Sequence, residues 1–209
     1  MSENKIINDY KKHKNRQENQ RLRGINDYNI LTAVLSHTDE VRLHSGFIYS
    51  LINPRGSHFQ GFLFLEMFLN AIGFGEEFDY DNAFVEKEYN FIDLYITDMK
   101  HHIIIENKIY AGDQDGQISN YISTVKSEKR CTYDKIFVYY LSIDRVKPGD
   151  ASISGYKIED NYLIDTNNGD KKIFLKLIHY DKHIVSWLNS MLDEVSNLEN
   201  LHFSIKQYF

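Results

Sequence analysis

Residues 91 to 110 read FIDLYITDMKHHIIIENKIY and set one acid, Asp93, in an apolar run, and an acid and a lysine, Glu106 and Lys108, in the next. Both runs are rich in β-branched and aromatic residues, which predicts two strands joined through the polar stretch Thr97 to His101. If the hairpin folds about Met99 and Lys100, Asp93 faces Glu106 with Cβ atoms roughly 4.5–5.5 Å apart, and Lys108 points to the same face. A one-residue slip would send Asp93 to the other side of the sheet. Two acids directly opposite each other repel, so a fold that keeps them needs a cation between them. A hard divalent ion of the Mg²⁺ kind is held by one or two carboxylates while keeping waters and taking phosphate oxygens, which matches this pair. Such an ion sharpens a water nucleophile and stabilises charge on a scissile phosphate. The competing reading is a wet sheet edge with a solvent-facing Glu106–Lys108 pair. Against it, Asp93 sits inside FIDLYI and Glu106 follows Ile103-Ile104-Ile105.

The elements that must position these residues follow from periodicity and stop signals. Helices are expected over residues 25 to 37, from about Glu40 to Ile52 behind a Thr38 or Asp39 cap, and from Phe59 to a stop at Gly73. Strands follow at Phe84 to Tyr89, Phe91 to Ile96 and His102 to Lys108. A helix from Gly112 through Ser127 leads to Lys135 to Ile143, which reads as a strand buried on both faces. Residues 146 to 170 are turn-rich and predict a hairpin or irregular excursion. A last strand at Lys172 to His179 precedes a helix capped by Asp181, with Ile184, Trp187, Leu188 and Leu192 on one face. The order is α+β, with helices flanking a central mixed sheet.

An apolar strand with Asp93, a second ending Glu106-Asn107-Lys108, and a helix bearing Gln117 and Tyr121 resemble the PD-(D/E)XK nuclease superfamily. The blocks HSGFIYSLINPRGSHFQGFLFLEMFL, IIIENKIYAGDQDGQISNY and IHYDKHIVSWL, at residues 44, 103 and 178 onward, are similar to an uncharacterised bacterial branch of it. The resemblance covers about residues 25 to 190 and implies a restriction-endonuclease-like core. It makes Asp93 and Glu106 metal-binding acids, the Asn107 carbonyl a further ligand, and Lys108 the motif lysine. Gln117 and Tyr121 would approach the phosphate or the water shell, and Glu40 would complete the metal shell as a helical acid. Ile92 stands where the superfamily's name has proline. His44, one turn after Glu40, is a candidate of the same kind, or a core histidine. Glu66 reads as a rim acid, Asp113 and Asp115 as first-turn helix acids, and His58 as a helix-entry residue.

The implied activity is Mg²⁺-dependent phosphodiester hydrolysis, with Mn²⁺ as a substitute and DNA ahead of RNA, in restriction, repair or phage defence. The alternatives are a silent nuclease-fold module that binds nucleic acid or a partner, and an interaction scaffold. Length favours one domain over residues 25 to 209 behind a polar basic segment at 1 to 24. Across residues 11 to 23 Lys11, Lys12, Lys14, Arg16, Arg21 and Arg23 face only Glu18, whereas the chain's formal charge is −6. Either the segment is a solvated helix or its basic strip meets phosphate. The single Cys131 and a polar start, with no apolar run of membrane length, point to the cytoplasm and no membrane. The apolar-periodic LHFSIKQYF at the end fits either a short family member or one whose C-terminal packing is completed by a partner subunit, and a homodimer would suit a double-strand cut.

Overall fold

The computed structural model describes residues 3–24 and 28–208. It divides into two units, Met1–Val34 and Leu35–Phe209. The first holds helix α1 (Glu3–Gly24) and the short α2 (Ile30–Val34). On α1, Lys11, Lys12, Lys14, Arg16, Arg21 and Arg23 are all exposed. Lys12, Arg16 and Arg23 follow at intervals of four and seven and so share one face. The helix expected over 25–37 shrinks to Ile30–Val34, and residues 25–27 lie outside those described. Asn29 sets its start by accepting from the Leu31 and Thr32 amides.

The second unit is built on a seven-stranded mixed sheet in the order β1-β2-β3-β4-β7-β6-β5. Its strands are β1 (Phe84–Tyr89), β2 (Ile92–Thr97), β3 (His102–Lys108), β4 (Ile136–Ser142), β5 (Tyr156–Glu159), β6 (Tyr162–Asp165) and β7 (Lys172–His179). The β3–β4 and β4–β7 pairs are parallel and the others antiparallel. Every residue of β3 and β4 is buried, as central strands covered on both faces must be. The turn-rich stretch resolves into the β5–β6 hairpin, which extends the sheet past β7.

Helices α3 (Gly46–Ile52), α4 (Leu63–Ile72), α6 (Val185–Glu194) and α7 (Glu199–Tyr208) share one core with the face of the sheet that carries Ile103 and Ile105. Helix α5 (Gln117–Lys129) covers the other face, with Ile104, Val138 and Tyr140. Asp39 caps the wide helical turn Glu40–Ser45 ahead of α3 by accepting from the Arg42 amide at 2.7 Å. Helix α4 begins four residues later than periodicity implied. Phe59 and Gly61 have positive φ, and the His58 ring ties the preceding loop to the Asn53 carbonyl and the Gln60 amide. It closes at Gly73, whose φ of +66° is a left-handed C-cap. Asp181 does not cap α6: it pairs with Arg145, and the chain enters that helix through a wide turn in which His183 accepts from the His179 amide. Of the C-terminal LHFSIKQYF, Leu201 to Tyr208 lie in α7 and pack inside their own unit, with Ile205 buried and Tyr208 stacked on Phe47, and Phe209 lies outside the described residues.

Candidate active site

The β2–β3 ladder pairs Leu94 with Ile105, Tyr95 with Ile104, Ile96 with Ile103 and Thr97 with His102, so the turn centres on Met99 and Lys100. Asp98 holds that turn. Its carboxylate accepts from the Lys100 amide at 3.0 Å and the His101 amide at 2.6 Å, and from the His101 ring at 2.9 Å and the Asp79 amide at 3.1 Å. Continued in register, Asp93 stands opposite Glu106. Its Oδ2 accepts from the Asn107 amide at 2.8 Å. Glu106, 1% exposed, takes the Lys108 ammonium at 2.7 Å on Oε1, while its buried Oε2 has no hydrogen-bond partner among the described residues.

Burial pushes both carboxyls up. Glu106 reaches about 7, through desolvation and then the charge of Asp93, against the pull of Lys108. Asp93 reaches about 6, through desolvation opposed by the Asn107 amide and Lys108 and reinforced by Glu40 and Glu88. A pair this short of positive charge fits a hard divalent cation, since both donors are carboxylates and one buried oxygen is unbonded. Asp93 and Glu106 would hold it. Among the described residues no group of three or more His, Cys, Asp or Glu is arranged to hold a metal ion.

The remaining candidates are held by hydrogen bonds to backbone and to other side chains, and not all of them lie beside the pair. Glu40 Oε1 accepts from three successive amides, Ile109 and Tyr110 at 2.6 Å and Ala111 at 2.8 Å, filling the concave turn that follows β3. Gln117 donates to the Tyr121 hydroxyl at 3.0 Å, and Tyr121 donates to the Phe91 carbonyl at 2.7 Å. Burial and the facing Glu106 charge hold the Tyr121 phenol un-ionised. The Asn107 side chain lies on the opposite face, donating to Ser45 at 3.0 Å and accepting from Tyr180 at 2.8 Å. His44 lies away from the acids, bonded to the Tyr208 hydroxyl at 2.7 Å and the His37 carbonyl at 2.9 Å. Asp113 precedes α5 rather than sitting in its first turn, and accepts from Tyr140 and the Gly149 amide. Asp115 precedes the helix too.

A family model for the PD-(D/E)XK nuclease superfamily matches residues 28–209. The chain belongs to the PD-(D/E)XK nuclease superfamily. Comparisons with curated proteins and with solved structures gave no match. The mixed sheet with flanking helices is this superfamily's restriction-endonuclease-like fold. In this PD-(D/E)XK protein Asp93 lies near the start of β2, and Glu106 and Lys108 lie at the end of β3.

Sequence reasoning missed Glu88, whose charge acts on Asp93. A signal for it existed: β1 and β2 pair about the Asn90-Phe91 turn, which sets Glu88 opposite Asp93. Ser45 and Tyr180, which fix Asn107, carry no such signal, because they meet it only in three dimensions.

Proposed function

We propose that this protein hydrolyses phosphodiester bonds of nucleic acid, DNA ahead of RNA, with a divalent cation of the Mg²⁺ kind and Mn²⁺ as its substitute. The observation that carries the reading is the Asp93–Glu106 pair, two carboxyls pushed up by burial, Glu106 further by the charge of Asp93, with a lysine 2.7 Å from Glu106 and an unbonded oxygen on it. The cation, held by Asp93, Glu106 and the Asn107 carbonyl, would lower the pKa of a bound water and offset charge on the phosphate. Lys108 has a further role. Its ammonium lies between the Glu106 carboxylate and the Gly112 carbonyl, 3.4 Å away, from where it reaches a phosphate oxygen or orients the attacking water. Gln117 and Tyr121 keep the start of β2 in place and present an amide and a phenol beside Glu106. Glu40 stiffens the turn after β3 and adds negative potential at the cation's position.

The fold's own charge does not attract nucleic acid. Residues 1–34 carry seven Lys and Arg against four Asp and Glu, a balance of +3, so a total of −6 leaves −9 on residues 35–209. The exposed cations of α1 belong to the other unit, and their type suits phosphate neutralisation.

The decisive measurement is cleavage of a DNA and RNA panel with Mg²⁺ or Mn²⁺ by wild type and by Asp93→Ala, Glu106→Ala and Lys108→Ala, each checked for folding by circular dichroism. Wild type is expected to cut, and each variant to lose at least about a hundredfold in rate. A wild type that cuts nothing, or variants that cut as well as it does, would sink the reading.

A further inference from the structure

Two large aromatic side chains stand in solvent at the end of the β2–β3 ladder that carries the acids. Phe91 is 89% exposed and Tyr110 66% exposed. Phe91 lies two residues before Asp93 and Tyr110 two residues after Lys108. Neither position is loose, because residues of the site itself hold both backbones. The Phe91 carbonyl accepts from Tyr121, which is held in turn by Gln117, and the Tyr110 amide donates to Glu40.

The Phe91 backbone makes the placement more telling. Asn90 and Phe91 form a two-residue hairpin turn with φ of +48° and +70°. A turn with two positive φ values prefers Asn-Gly, and a bulky aromatic in the second place is an outlier. The chain therefore accepts strain to put a ring where no protein surface covers it. Tyr110, for its part, rims a hollow of about 250 Å³ that also involves Lys108, Ser142 and Lys147.

We propose that Phe91 and Tyr110 stack on nucleobases next to the scissile phosphate, and that the substrate is nucleic acid with unstacked bases: single strands, flaps or frayed ends. The inference rests on the phosphodiesterase reading. A phosphodiester bound at Asp93 and Glu106 carries a base one sugar away on either side, so the nearest flat apolar partner for an exposed ring is that base. Bases inside an intact duplex already have both faces covered. Aromatic stacking on single strands tolerates any sequence, since every base offers a π-face.

The test is binding in EDTA, at one fixed salt concentration, to a single-stranded oligonucleotide carrying 2-aminopurine and to a blunt duplex of the same sequence. Wild type is expected to prefer the single strand and to quench the 2-aminopurine. Phe91→Ala and Tyr110→Ala should each weaken that binding about tenfold or more and lose the quenching, while Phe91→Trp keeps both. Met99→Ala is the control. Met99 has φ of +72° and is 74% exposed, but lies at the far end of β2, roughly 20 Å from Asp93. Alanine variants that bind like wild type, a Met99→Ala as weak as Phe91→Ala, or a preference for the blunt duplex would each overturn the proposal. The two readings separate: cleavage that survives Phe91→Ala with unchanged KM removes stacking alone, and stacking without cleavage under Mg²⁺ or Mn²⁺ removes the nuclease reading alone.

Discussion

Strand β2 is bounded by two aspartates in opposite electrostatic states. At its far end Asp98 is buried, but four donors satisfy its carboxylate. Burial pushes that carboxyl up, yet the bonds from the His101 amide and ring and from the Asp79 and Lys100 amides outweigh it and hold it below the ordinary 3.8. Five residues away Asp93 has one backbone donor, faces Glu106, and is pushed up to about 6. The same residue type thus serves the fold just past one end of β2 and stands in deficit near the other. Asp98 completes a turn and determines the ladder's register. The deficit at Asp93 is what a cation and a phosphate would relieve.

The sharpest way to break this contrast is to remove each acid in turn. Asp98→Ala leaves a buried His101 and three amides without their acceptor and should cost about 3–5 kcal/mol in urea unfolding. Asp93→Ala relieves repulsion at Glu106 and should change the metal-free stability by less than about 1 kcal/mol while abolishing cleavage. Equal losses from both would erase the distinction.

Protonation sharpens the contrast further. Asp93 and Glu106 have folded pKa values above their ordinary 3.8 and 4.5, so the metal-free protein should lose stability as pH rises from about 4 to about 7. Asp98 has the reverse sign: its contribution is present above the ordinary 3.8 and is lost as pH falls through its lowered folded value. Glu106→Gln should flatten the slope between pH 4 and 7 and stabilise the metal-free protein at pH 8 by at least about 1 kcal/mol, because a tenfold change in proton affinity corresponds to about 1.36 kcal/mol. Thermal melts across that range read both. Divalent cation should raise the melting temperature of wild type more at pH 8 than at pH 5, because ion and proton compete for the same oxygens. An equal rise at both values would place the ion elsewhere.

The smallest expected effect concerns the turns themselves. Phe91→Gly removes a Cβ from a left-handed position and should stabilise the fold by about 0.5–1 kcal/mol in the same urea titration. A loss of stability would mean that the ring packs on something in solution.

The legible parts of this molecule were those encoded by neighbours in the chain. Alternation along β2 and β3 put Asp93 opposite Glu106 on the condition of a turn about Met99 and Lys100, and the ladder from Leu94–Ile105 to Thr97–His102 has that turn. The sheet's central strands were legible from their unbroken apolar runs. What distant partners decide was not. Asp181 looks like a cap because it precedes an apolar helix, but Arg145, 36 residues back, takes its carboxylate. The bonds of Glu40 were hidden because its partners are three amides 69 to 71 residues on, and an amide leaves no mark in a residue pattern. Phe59 to Phe62 carry a helical pattern that two left-handed positions override.

The joint behind the site has a consequence for how such a protein changes over generations. Asn107 occupies the nominally free middle position of Glu-x-Lys, yet its amide side chain donates to Ser45 and accepts from Tyr180, 62 and 73 residues away. Loss of Asn107 deprives both Ser45 and Tyr180 of their partner, and loss of either of those leaves one end of the Asn107 amide unpaired. The three positions should therefore be inherited as a set, drifting together among descendants even though only one of them borders the chemistry.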